Sequence, residues 1–143
     1  MHLLYNGVAH PWLCDAMGHL TTRHYMAMFD DASLHLLAEA TGWHTDSNEW
    51  KGKGWADVRH EISYKNELQA GALLEITGEI TAIGNSSLTA YYEMKHKNCL
   101  EPDKKSQAVA ATMTAKTVFF DLKARRSIPL TDKMRTQIEV YQQ

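Results

Sequence analysis

The sequence predicts an α+β domain in which an antiparallel five-stranded sheet curls around one long helix, with a short helix closing the chain. Three observations carry this. Tyr25, Met28, Phe29, Ala32, Leu36 and Ala40 recur at helical spacing, and Met26, Leu34 and Leu37 widen the stripe. From residue 56 onward the period changes to two, as in strands with one wet face. The links between these later segments are short, which favours antiparallel neighbours over crossovers. A helix apolar over so much of its surface is expected to be wrapped by the sheet.

Taken in order, Leu3 to Ala9 reads as a short strand that ends at His10-Pro11-Trp12, where proline cannot pair. Met17-Gly18-His19 reads as a turn, since glycine takes backbone angles closed to other residues. Thr21 and Thr22 offer hydroxyls to cap the start of the long helix, and Gly42 supplies its stop. The stretch TDSNEWKGKG, from Thr45 to Gly54, is a polar loop. Ala56, Val58, His60, Ile62 and Tyr64 then alternate with polar residues, as do Leu74, Ile76, Gly78, Ile80 and Ala82. Gly84-Asn85-Ser86 turns the chain into a strand carrying Leu88, Ala90, Tyr92 and Met94. Asn98 to Lys105 is a further polar loop, and Ala108 to Phe120 suits a strand covered on both sides. Asp121 to Pro129 is basic and irregular, and Thr131 is placed to cap a closing helix with Met134, Ile138 and Tyr141.

At 143 residues the chain, 1–143, is expected to be one domain with a core of its own. A net charge of −2 with scattered basic residues argues against nucleic acid as a partner. No apolar run is long enough to span a bilayer, and the N-terminus lacks a signal-peptide pattern, so a cytoplasmic protein is expected. Cys14 and Cys99 are too few for a disulfide framework.

The run DAMGHLTTRHY resembles the signature of hotdog-fold acyl-CoA thioesterases of the 4-hydroxybenzoyl-CoA thioesterase type. Those proteins show an aspartate, a glycine three residues later and a tyrosine ten residues after the aspartate, and here Asp15, Gly18, His19 and Tyr25 hold the corresponding places. Asp30-Asp31-Ala32 is similar to the family's acidic pair before alanine. EISYKNELQAGALLEITGEI and AVAATMTAKTVFFDLKARRSIPL are similar to its later strands, so the likeness covers nearly the whole chain. One departure is that Thr21 and Thr22 stand where the family often has asparagines. The resemblance implies a hotdog fold, hydrolysis of an acyl-CoA thioester without a cofactor, and homodimers or tetramers with the site between subunits. It extends to betainyl-CoA thioesterases of carnitine breakdown, whose acyl group carries a quaternary ammonium.

The residues suit that chemistry. Backbone N–H groups at a helix start point outward unpaired, and the helix dipole adds positive potential, so a carbonyl docked at Thr22 would be polarised. Asp15, seven residues earlier, either caps its turn or acts across that carbonyl as nucleophile or general base. His19 is a candidate lining residue, and Asp31, placed on the opening turns of the helix, is read as a charge favouring the helix dipole or else as an acid supporting the site. Cys14 has no evident base, and the 8 histidines, including His10, His24 and His35, show no ligand spacing, so no metal is expected.

The candidate substrate contacts are Trp12, Tyr25, Trp55, Arg125 and Arg126. The arginine pair is preferred over Lys95-His96-Lys97 and Lys104-Lys105 for the CoA phosphates because a guanidinium fork matches phosphate oxygens. Trp12, Trp43, Trp50 and Trp55 either pack the core and a dimer interface or offer indole faces to a cation. Two other functions remain open, a non-catalytic acyl-CoA binding module and a hydroxyacyl-thioester dehydratase, although the dehydratase's histidine-centred motif is not evident.

Overall fold

The computed structural model describes residues 1–97 and 108–143. The polar loop from Asn98, with Cys99, Lys104 and Lys105, lies outside the described residues. In chain order the elements are β1 (His2–Val8), α1 (Thr22–Thr41), β2 (Lys53–Tyr64), β3 (Leu73–Ile83), β4 (Ser87–His96), β5 (Val109–Asp121), β6 (Arg126–Ser127) and α2 (Asp132–Tyr141). All pairings are antiparallel, in the order β1-β3-β4-β5-β2, and β6 pairs with β5. The expected five-strand sheet therefore gains a sixth, two-residue strand inside a stretch read as irregular.

Twofold alternation builds the inner face of the curled sheet. Leu74, Ile76 and Ile80 of β3 are buried, as are Leu88, Ala90, Tyr92 and Met94 of β4 and Met113, Ala115 and Phe119 of β5. At Gly78 a Cβ would stand 2.7 Å from the Tyr92 ring and 2.8 Å from Leu4 Cδ1, so only glycine lets these side chains close over β3. The outer face of β5 is not covered as expected, because Thr114 and Lys116 are exposed.

α1 runs 20 residues and buries Tyr25, Met28, Phe29, Ala32, Leu36, Leu37, Ala40 and Thr41. It packs against β1, β3 and α2. Its other face stays open, since Asp30, Asp31 and His35 are exposed and Leu34 is 49% exposed. Within the protomer the helix is thus packed on one side rather than wrapped. Gly42 ends it at a φ of 75°, in the left-handed region that glycine accepts. Thr131 caps α2 by accepting from the Met134 N–H at 3.1 Å, as its place in the sequence predicted.

β2 departs furthest from the sequence expectation. A bulge between Asp57 and Arg59 inserts Val58 as an unpaired residue. The alternation changes phase there, and Val58, expected to face inward, is 58% exposed. Asp57 to Glu61 are exposed on both faces, at the free edge of the sheet.

Phe29 is fully buried at the centre of the helix face, tilted against the Tyr92 ring at 6.4 Å. Phe29→Ala is expected to lower stability by about 3–5 kcal/mol in urea unfolding, as for other buried aromatic truncations.

Candidate active site

The start of α1 and the loop before it form one wall of an open cleft of about 250 Å³. Asp15, Met17, His19, Leu20, Thr22 and Tyr25 line it, facing Tyr64, Lys65, Asn66 and Glu67 at the end of β2. Backbone hydrogen bonds stitch the two walls together. The Leu20 N–H donates to the Leu68 carbonyl at 2.8 Å, and the Ala70 N–H to that of Gly18 at 3.0 Å. The Thr21 N–H is held by the Leu13 carbonyl at 3.0 Å, which fixes where the helix begins.

Asp15 sits at the head of a tight turn. Its Oδ1 accepts from the Met17 N–H at 2.9 Å and the His19 N–H at 3.2 Å. The Gly18 N–H closes the turn on the Asp15 carbonyl at 3.0 Å, and Gly18 adopts a φ of 79°. Of the two sequence readings of Asp15, the turn cap is observed at Oδ1, while Oδ2 has no protein partner among the described residues.

Thr21 is the N-cap of α1, yet its side chain makes no capping hydrogen bond. The His24 N–H turns back to the Thr21 carbonyl at 2.9 Å. The N–H groups of Thr22 and Arg23 have no protein acceptor among the described residues. Two unpaired donors at the positive end of a 20-residue helix are able to stabilise negative charge placed against them. Asp31 is the tenth residue of α1, too far along to act on that end of the dipole.

Tyr25 is buried and meets Tyr64 edge-on at 5.3 Å. Burial raises its phenol above the ordinary range, a shift that a backbone group of Leu68 partly offsets. His19 lines the cleft with Nε2 3.2 Å from Glu67 Oε2. Tyr64, Lys65, Asn66 and Glu67 were not predicted as site residues. Tyr64 was read only as the end of a strand, Lys65, Asn66 and Glu67 follow that strand without a periodic signal, and only the backbone stitching brings them opposite Asp15.

The remaining sequence candidates lie elsewhere. Trp12 is 74% exposed and stacks on His10 at 4.2 Å, outside the cleft. Trp55 is at the opposite end of β2 from Tyr64, tilted against Phe119 at 5.0 Å. Arg125 and Arg126 are at that same far end, where Arg126 pairs with Asp121 and Arg125 lies over the Phe120 ring at 5.3 Å. The turn that presents them is fastened by Asp121, whose carboxyl is held below its ordinary range chiefly by the Ala124 N–H, with that of Lys123 adding. Within one chain these residues do not share a cleft with Asp15. The Cys14 thiol donates to the His10 carbonyl at 3.3 Å. No group of three potential metal ligands occurs among the described residues, and no helix there is long and apolar enough to cross a membrane.

Residues 9–138 match the thioesterase-like superfamily. The chain belongs to that superfamily and is a thioester hydrolase by membership. No curated protein sequence matches it significantly. Solved structures share its fold at low identity. A hypothetical protein of Staphylococcus aureus, solved in complex with CoA, superposes with a TM-score of 0.83 at 18% identity, over 98% of this chain and 84% of that one. A 1,4-dihydroxy-2-naphthoyl-CoA thioesterase from Synechocystis gives 0.76 at 16% identity, over 97% and 96%. A hexameric broad-specificity acyl-coenzyme A thioesterase gives 0.75 at 17% identity, over 97% and 87%. The curled antiparallel sheet with its helix is thus the hotdog arrangement that the signature implied.

The double use of Asp15 separates two variants. Asp15→Asn keeps an acceptor for the Met17 and His19 N–H groups and should unfold within about 0.5 kcal/mol of the native chain. Asp15→Ala leaves both donors without that acceptor and should cost roughly 1 kcal/mol in urea unfolding. Equal losses would show that the turn does not depend on this oxygen.

Proposed function

We propose that the protein hydrolyses a small or medium acyl-CoA thioester to the free acid and CoA. The observation that carries this reading is the shared cleft, lined both by Asp15, with its unpaired Oδ2, and by Thr22 at the helix start whose first N–H groups are open. A thioester carbonyl seated on those donors is polarised, and its oxygen gains charge where the helix dipole stabilises it. Asp15 then attacks the carbonyl carbon, or takes a proton from a water that does. In either case the carbon–sulfur bond breaks, CoA leaves as the thiol after protonation, and water supplies the acid's new oxygen. Gly18 and His19 shape the turn that aims Asp15, and Tyr25 forms the floor. No cofactor or metal enters this scheme.

The acyl group is read as cationic, as in betainyl-CoA from carnitine breakdown. Support comes from the edge-on rings of Tyr25 and Tyr64 and the Glu67 carboxylate beside them, a setting that suits a quaternary ammonium. These tyrosines take the part first assigned to the tryptophans. Arg125 and Arg126 are proposed to hold the CoA phosphates, with Trp12 and Trp55 as further substrate contacts. The free edge of β2 supports a homodimer, or a tetramer made of two such dimers, and a cytoplasmic location is proposed with it.

Thiol release from a panel of acyl-CoAs tests the reading, and turnover of betainyl-CoA should exceed that of its neutral isostere, 3,3-dimethylbutyryl-CoA, by roughly tenfold. Binding without turnover by the native chain would sink it in favour of a binding module.

The role of the helix start has its own test. Thr22→Pro removes one donor at a position where proline fits the first helical turn, and Thr21, at φ −67° and ψ 140°, already has the backbone that precedes proline. The helix should survive by circular dichroism while kcat falls about 100- to 1,000-fold. An unchanged kcat in a folded variant would rule out the Thr22 N–H as the oxyanion donor.

A further inference from the structure

Glu67 stands on the wall of the cleft opposite Asp15, and among the described residues its carboxylate meets only His19. Oε2 lies 3.2 Å from His19 Nε2, with the two side chains 73% and 25% exposed. An ion pair so open to water contributes little to stability, and either partner is readily exchanged for another. His19 is the fixed member. Its N–H donates to Asp15 Oδ1, its carbonyl accepts from the Asp15 N–H at 2.9 Å, and its backbone bridges to Gln69. The mostly exposed carboxylate is therefore the group left to change partners.

Glu67 also shares its surroundings with the rings of Tyr25 and Tyr64. After burial, the charge of Glu67 does most to raise the Tyr25 phenol, ahead of Tyr64 and Asp15. Carboxylate and ring thus act on the same space.

We infer that His19 and a positively charged acyl group compete for the Glu67 carboxylate, so that the proton carried by His19 sets the preference for cationic substrates. This rests on the cationic reading of the acyl group and adds a control to it. Imidazole is the side chain whose charge ordinarily changes between about pH 5 and 8. A protonated His19 neutralises Glu67 through a charge-assisted hydrogen bond and repels a second cation arriving at the same carboxylate. A neutral His19 lifts that repulsion and leaves the carboxylate to an ammonium seated against the tyrosine rings. The coupling is reciprocal, so each cation weakens the other's hold by the same factor. For two unit charges about 4 Å apart in water that factor is about fivefold.

The other groups facing His19 do not discriminate in this way. Asp15, on its own turn, attracts both cations, and Lys65, beside Glu67, repels both. Tyr25 from α1 and Tyr64 from β2 add uncharged phenols, and Gln69 is neutral. A quaternary ammonium has no proton to lose, so a pH-dependent preference for it belongs to the protein.

The ratio of kcat/KM for betainyl-CoA to that for 3,3-dimethylbutyryl-CoA cancels whatever acts on both substrates alike. In the native enzyme it should climb about fivefold between about pH 5 and about pH 8. In His19→Gln it should be flat near the native alkaline value, and in Glu67→Gln it should be flat and low. A ratio above one that ignores pH would overturn the competition and leave the cationic reading standing. A ratio near one at every pH would remove the cationic reading, and the competition with it.

Tetramethylammonium chloride gives a readout that needs no turnover. Titrated against the ring NMR signals of Tyr25 and Tyr64, with sodium chloride at equal ionic strength as the control, it should bind about fivefold more tightly at the alkaline end. Glu67→Gln should abolish the response, and His19→Gln should remove its pH dependence. Equal binding at both ends of the range in the native chain would overturn the inference. Binding that follows pH in a chain that cleaves no thioester would sink the proposed hydrolysis and leave the competition in place.

Discussion

An uncapped helix start is the constraint on which the candidate site depends. Helices usually spend a threonine hydroxyl at the N-cap on their own free N–H groups. Here Thr21 is in place and does not do so. The first two donors of α1 stay open, and the backbone bonds from Thr21 to Leu13 and from Leu20 to Leu68 hold the chain's approach in position. Fixing donors before a substrate arrives means that little reorganisation is left for the reaction itself. The stability forgone at the helix end is small beside what the buried face of α1 supplies through Phe29, Leu36 and their neighbours.

Much of the fold was legible because local rules and tertiary packing agree. The apolar spacing from Tyr25 to Ala40 and the stop at Gly42 delimit α1 to within a few residues. The alternation in β3 and β4 maps directly onto buried and exposed faces. Thr131 was recognisable as a cap because its hydroxyl serves a helix three residues ahead. The failures share a cause, since each depends on what lies across the sheet. The bulge at Val58 is set by the match between β2 and β5, and β6 exists only because the turn after Asp121 folds back on β5. The one-sided cover of α1 and of β5 reflects which elements remain to shield them, which period alone does not encode.

The site was legible only on its helical side. Asp15, His19, Thr22 and Tyr25 lie in one short stretch with Gly18 in its turn, so a turn followed by a helix places the four along the cleft. The facing wall comes from residues about forty or more positions away, and its identity is a result of strand order. The same distance explains why Trp55, Arg125 and Arg126 could be chosen by chemistry and still lie at the wrong end of β2 for a single chain. Residue type says what a side chain can bind, whereas topology decides where it is available.

The way Asp15 is held has a bearing on how freely its surroundings can vary. Both donors to Oδ1 are main-chain groups, those of Met17 and His19, so the anchor is indifferent to what side chains those two positions carry. Only an imino acid there would remove it. Divergent copies of this loop can therefore exchange the side chains that line the cleft at those two positions while the orientation of the carboxylate is inherited unchanged.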